Sequence, residues 1–147
     1  VELVVYMALM TVILSGVLSF VYVSVQNYHM AKTRLDLEQQ AVYALQLVTR
    51  DLRVADPQTV QISSSDTITF QSRNFVMTYM RGYLPVLYRD LHNGAGAQPV
   101  TDPISASLQE LQFFYHHDTH LVDVMITVTD QNYSQFLTLS TSVYLEN

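Results

Sequence analysis

The chain has no cysteine and no tryptophan, and none of its four prolines comes before Pro57. Without cysteine no disulfide can staple the fold, so any head must hold by apolar packing, hydrogen bonds and contacts with neighbours. Charge is scarce at 14% of residues, against roughly 25% in an ordinary soluble protein. Cations are scarcer still. From Pro57 onward there are eight acids (Asp66, Asp90, Asp102, Glu110, Asp118, Asp123, Asp130, Glu146) and three arginines (Arg73, Arg81, Arg89). That balance argues against unaided binding to nucleic acid, whose phosphates demand lysine and arginine. No Gly-x-Ser-x-Gly, Walker or dinucleotide motif is present, so the sequence offers no catalytic constellation and no cofactor site.

The missing charge is concentrated in one place. Glu2 is the only charged side chain among the first thirty-one positions. Behind it, Leu3 to Val25 form an apolar run of twenty-three residues, and about twenty suffice to cross a bilayer. Thirteen of them are Leu, Ile, Val or Phe, together favouring insertion by roughly 4 to 8 kcal/mol. A carboxylate at mid-membrane costs about 2.5 to 3.5 kcal/mol. Glu2 lies near the end, where the cost is smaller, so the stem inserts regardless. Two readings of the acid remain: it snorkels to the headgroups, or it pairs with a cation on a neighbouring chain.

Val1-Glu2-Leu3-Val4-Val5, followed by an unbroken apolar helix, resembles the N-terminus of the type IV pilin superfamily. Further segments resemble the closing strands of minor pilins and minor pseudopilins. They are Leu108-Gln109-Glu110-Leu111-Gln112-Phe113-Phe114-Tyr115, Val122-Asp123-Val124-Met125-Ile126-Thr127-Val128 and Thr141-Ser142-Val143-Tyr144-Leu145-Glu146-Asn147. Arg50-Asp51-Leu52-Arg53-Val54-Ala55-Asp56 resembles the point where the long helix of that group ends. The resemblance implies a few residues upstream of Val1, with a leader cut after a glycine and an N-methylated first residue. It implies a filament subunit of a pilus or a secretion pseudopilus. Such a subunit waits in the inner membrane and ends in an extracellular or periplasmic filament. Its implied partners are the lipid bilayer, other pilin or pseudopilin subunits, an inner-membrane assembly platform, a prepilin peptidase and a separate motor ATPase. Glu2 would then pair with the N-terminal amine of a neighbouring subunit.

The helix is expected to outrun the membrane, from Leu3 to about Ala55. The apolar positions Leu35, Val42, Leu45, Val48, Leu52 and Ala55 recur at helical spacing and predict the buried stripe, while Gln39, Gln40, Gln46 and Thr49 take other faces. Asp56-Pro57 is a stop, because a residue before proline avoids the helical region. Ser15-Gly16 is the weak point, where the helix either loosens or uses a small residue for close packing. Lys32 and Arg34 follow the stem and by positive-inside bias favour a cytoplasmic flank; the resemblance implies an external head.

After Pro57 the period becomes two. Val60-Gln61-Ile62 and Thr67 to Phe70 predict one hairpin, and Asn74 to Met80 with Tyr83 to Tyr88 a second, Pro85 demoting its second strand. His92 to Ser107 reads as a long loop. Phe113 to His116, Leu121 to Thr129 and Phe136 to Tyr144 read as a three-stranded meander, all in one antiparallel sheet against the helix. The expected fold is therefore α+β: stem 1–25, amphipathic continuation 26–56, β-sheet head 57–147.

The one cluster with ligand chemistry is His116-His117-Asp118-Thr119-His120. Its imidazoles with Asp118 or Asp123 could hold zinc or nickel; a polar turn is the simpler reading, because no second half-site appears. Asp118, Asp123 and Asp130 could serve calcium, but lack the spacing of an Asp-rich loop. The ten tyrosines and six phenylalanines are explained by core packing and an interfacial belt, rather than by conducting stacks. A single-span anchored sensor or binding module that never polymerises is the alternative from another class.

Overall fold

A computed structural model describes residues 1–72, 75–101, 106–130 and 135–145. It is α+β. Helix α1 (Glu2–Arg53) is followed by a one-turn 3-10 helix (Pro57–Thr59) and eight strands. They are β1 (Gln61–Ser64), β2 (Thr67–Ser72), β3 (Phe75–Arg81), β4 (Leu87–Asp90), β5 (Gln98–Pro99), β6 (Ser107–His116), β7 (Leu121–Thr129) and β8 (Phe136–Tyr144). The chain forms two compact units, Val1–Arg34 and Leu35–Asn147.

Within the second unit, the later part of α1 lies on antiparallel sheet. Its buried residues are Leu37, Ala41, Ala44, Leu45, Val48, Asp51 and Leu52. The stripe read from the sequence is corrected here. Leu45, Val48, Leu52 and Ala55 are buried, but Leu35 and Val42 are exposed. At about 100° per residue, Leu35 points nearly opposite Leu37, and Val42 sits a quarter-turn from Ala41. Alanines occupy the seam because they let the backbone approach the sheet, a role that counting large apolar residues overlooks.

The helix ends at Arg53, slightly before the proline stop. Ala55 N–H then bonds to the Leu52 carbonyl at 3.0 Å, and Ala55 bridges to Ser72. Asp56 caps the 3-10 turn: its Oδ1 accepts from Gln58 N–H at 3.0 Å, and Pro57 fills the first position, where a missing N–H costs nothing.

The single expected sheet is in fact two, a five-stranded sheet in the order β1-β2-β3-β4-β5 and a three-stranded meander β6-β7-β8. β6 does not pair in register with the first sheet. Phe113 N–H instead donates to the Ser65 carbonyl at 2.8 Å, and Leu108 N–H to the Pro85 carbonyl at 2.6 Å. These are bonds to turns, not to a strand, so the ladders stay separate while one core joins them. That core holds Leu45, Val48 and Leu52 of α1 with Phe70, Tyr79, Phe113, Val124, Ile126 and Val143.

The first hairpin forms as expected, with Ser65-Asp66 at its turn. The second is shorter than expected. Its return strand starts at Leu87, not Tyr83, because Pro85 has no N–H to give the ladder and Val86 N–H turns back to the Leu84 carbonyl at 2.7 Å. β4 is also internal rather than an edge. The expected 92–107 loop contains β5, whose Pro99 sits on the sheet edge where no donor is needed. β6 begins at Ser107 rather than Phe113. Arg73 and Asn74, Asp102 and Pro103, and the closing Glu146-Asn147 lie outside the described residues.

Candidate functional site

Taken by itself, the first unit is a helix that buries nothing. Every residue from Val1 to Lys32 is exposed. The apolar side chains therefore have no partner within the chain, which a helix tolerates only when lipid or other helices cover it. Several of its hydroxyls, by contrast, are satisfied locally. Thr11 donates to the Met7 and Ala8 carbonyls at 3.1 and 2.8 Å, Ser15 to Val12 at 2.8 Å, and Ser19 to Ser15 at 2.8 Å. Gln26 donates to the Tyr22 hydroxyl at 2.8 Å. Hydroxyls that bond back to the preceding turn cost little when water is absent. Composition alone did not reveal this pairing. The helix is long and apolar enough to cross a membrane.

Glu2 stands in the first described turn of α1. Together with Leu3, Tyr6, Met7 and Met10 it lines a shallow facet of the helix. Its only polar feature besides the backbone and the Tyr6 hydroxyl is the carboxylate, and the two methionines are adaptable packing surfaces. Ser15 and Gly16 lie within unbroken helix. A Cβ added at Gly16 would meet nothing within 4 Å, so nothing in this chain's own packing requires glycine there.

The histidine cluster at the β6–β7 turn disperses. His116 Nε2 lies 2.9 Å from Asp123 Oδ2, and Ser142 Oγ donates to Asp123 Oδ1. The Ser142 hydroxyl, then the His116 contact, hold the Asp123 carboxyl below the usual carboxylate range. His117 meets the Tyr115 ring edge-on, with centroids 4.4 Å apart. His120, at φ 51°, places Nδ1 3.2 Å from the Tyr115 hydroxyl. That hydroxyl donates to the Pro57 carbonyl at 3.0 Å. The His120 carbonyl accepts from Leu145 N–H at 2.9 Å. Two of these imidazoles are spent on the fold, and Asp118 stays exposed in the turn. Asp118 and Asp130 sit beyond opposite ends of β7, so they cannot share an ion with each other. Among the described residues no group of three His, Cys, Asp or Glu could hold a metal.

One polar constellation escaped the reading of the sequence. Asp51 is buried on the helix face, 5% exposed. Its Oδ2 accepts from the Tyr79 hydroxyl at 2.7 Å and pairs with Arg89 at 2.6 Å, while Oδ1 takes Arg50 Nε at 3.1 Å. Burial, with the bond to Asp51, pushes the Tyr79 hydroxyl far up. The signal was present: Asp51 lies three residues beyond Val48 and one before Leu52, inside the apolar stripe. A carboxylate there must meet buried cations or donors. The cluster ties α1 to β3 and β4, while Arg89 Nε is buried without a partner among the described residues and Arg50 keeps its outer nitrogens toward solvent.

No family model, curated protein or solved structure matches the chain.

Proposed function

We propose that this chain is a membrane-anchored structural subunit that assembles laterally through its N-terminal helix into a pilus- or pseudopilus-like filament. The observation that carries the reading is a single acid, Glu2, at the head of a helix whose apolar side chains are all exposed from Val1 to Lys32. Such a surface needs cover along its whole length. Lipid can provide it before assembly and neighbouring stems afterwards. Acyl chains cannot neutralise Glu2 once the stem is bundled away from the headgroups, whereas a neighbouring subunit's amine can, and the pair then stabilises the bundle in an apolar surrounding. The internally bonded hydroxyls of Thr11, Ser15 and Ser19 suit either environment. The head of the second unit would face the aqueous side and form the filament surface. No catalytic role is proposed. Extraction from lipid would draw on a separate motor.

The test is Glu2→Ala and Glu2→Leu in cells making the native filament system. Both variants are expected to insert normally but to be lost from sheared filaments. Incorporation of both at wild-type abundance refutes the pairing. A wild-type chain that stays monomeric in the bilayer supports the anchored, non-polymerising module instead.

A further inference from the structure

The three-stranded meander has two edges, treated differently by the fold. On β6, Phe113 and Leu108 give their N–H groups to the Ser65 and Pro85 carbonyls, and the ladder is kinked by a register shift between Leu108 and Glu110. On β8 no strand pairs with the outer side among the described residues. This strand runs nine residues in unbroken register with β7, from Phe136 opposite Thr129 to Tyr144 opposite Leu121. Its sequence, Phe-Leu-Thr-Leu-Ser-Thr-Ser-Val-Tyr, contains no charge and no proline. Charges, prolines and bulges are the usual protections of an edge, and β8 has none of them. Phe136 and Tyr144, at its ends, are 79% and 61% exposed.

Beside this edge lies a groove of about 670 Å³, lined by Val42, Leu45, Gln46, Thr49, Arg50, Arg53, Val54 and Thr141. Its volume is within the range of roughly 300 to 1,000 Å³ typical of ligand sites. The chain carries a net charge of −6 and only seven cations, yet two of them line this groove. Arg53 is exposed and makes no ion pair among the described residues. Arg50 commits only Nε to Asp51, and its side chain is 68% exposed. A strand added outside β8 would continue the pleat, so its alternate side chains would fall in line with Leu139 and Thr141 and lie over this flank of α1.

We infer that β8 and the groove together bind an extended, acidic segment of a partner polypeptide by strand addition. Main-chain bonds to β8 hold the segment. A carboxylate in it meets Arg50 and Arg53, and a small apolar side chain two residues away packs on Val42 and Val54. This is edge pairing with side-chain selection. The choice of an acidic partner rests on charge complementarity: two of the chain's seven cations line this groove, while the chain as a whole carries a net charge of −6. The inference goes beyond the filament reading and does not depend on it.

The test uses the full chain in detergent micelles. The probes are a soluble nine-residue peptide alternating valine and threonine with one central glutamate, and the same peptide with lysine at that place. The glutamate peptide at saturation is expected to slow hydrogen exchange of alternate β8 amides at least tenfold, and the lysine peptide to bind at least tenfold more weakly. Arg53→Glu is expected to reverse that preference, and Arg53→Gln to flatten it if the reversed charge fails to fold. Equal affinity for the two peptides overturns the proposal. So does slowed exchange at β1 or β5 in place of β8. Concentration-dependent protection of β8 without peptide also overturns it, by assigning the edge to a second copy.

Discussion

The Tyr79 hydroxyl, at the centre of β3, donates to Asp51 Oδ2 on α1 at 2.7 Å, with neither residue more than 5% exposed. Arg89 of β4 closes on the same oxygen at 2.6 Å. A single carboxylate thus ties the helix to two strands of the larger sheet. Phe70 lies nearly parallel to the Tyr79 ring, with centroids 6.2 Å apart, and helps hold the hydroxyl in place. The arrangement fixes one helix rotation, since turning α1 by one residue would leave an unpaired charge in the core.

Tyr79→Phe removes one hydrogen bond to a charged group and is expected to cost about 1.5 to 3 kcal/mol. Asp51→Leu leaves Arg89 facing the core without its partner and is expected to cost more, roughly 3 to 5 kcal/mol. Urea unfolding of the full chain in micelles, followed by near-ultraviolet circular dichroism, measures both. A smaller loss for Asp51→Leu than for Tyr79→Phe would contradict the proposed hierarchy.

The stripe on α1 can be checked by packing alone. Ala44 is fully buried and faces the sheet, whereas Leu35 is 53% exposed. Ala44→Leu forces three extra carbons into a filled seam and is expected to destabilise by at least about 1 to 3 kcal/mol. Leu35→Ala is expected to stay within roughly 0.5 kcal/mol of wild type. Equal effects in thermal unfolding would mean that the helix sits in the register read from the large apolar residues.

Gly82 is required by close approach. A Cβ built there would stand 2.1 Å from a Tyr88 ring carbon. Gly82→Ala must push that ring aside, at an expected cost of about 1 to 3 kcal/mol. The double variant Gly82→Ala with Tyr88→Ala is expected to lose less than the two single changes summed, because the clash is gone. Strict additivity would place the strain elsewhere.

One acid-sensitive contact lies on the outer face of the meander. The Ser142 hydroxyl, with His116, lowers the Asp123 carboxyl below its ordinary value of 3.8. A depressed carboxyl contributes stability that is fully present above the unfolded value and lost as pH falls through the folded one. The loss should therefore appear below about pH 4 and be modest, since Asp123 is 40% exposed and solvent screens the pair. Asp123→Asn is expected to make the stability profile shallower in that window, with a modest loss that is greatest near pH 7 to 8, where the wild-type contribution is fully present. An unchanged slope below pH 4 would remove Asp123 from the account.

Much of the architecture could be read residue by residue. β7 and β8 occur at the boundaries that strict alternation indicates, because each places one apolar face on a core and one on solvent. Pro57 and Asp56 marked the helix exit within a few residues. The Asp51 cluster, the alanine seam and the separation into two sheets could not be read so directly. Each depends on which groups meet across long sequence separations. Tyr79 is twenty-eight positions from Asp51, and Phe113 finds the Ser65 carbonyl across a sheet boundary.

Periodicity and charge scarcity by themselves determined a long helix with an apolar first half, one acid at its head, and a β-sheet head without disulfides. Those are local properties: 3.6- and two-residue repeats, the solvation of side chains, and the missing N–H of proline. Only the tertiary structure decided which way α1 is turned on the sheet, that the histidines of the β6–β7 turn part company, and that the outer edge of β8 has no strand partner among the described residues while β6 is bonded to turns. The physical reason is that such outcomes depend on how closely backbones approach and which buried polar groups find one another, and a linear pattern carries neither distance.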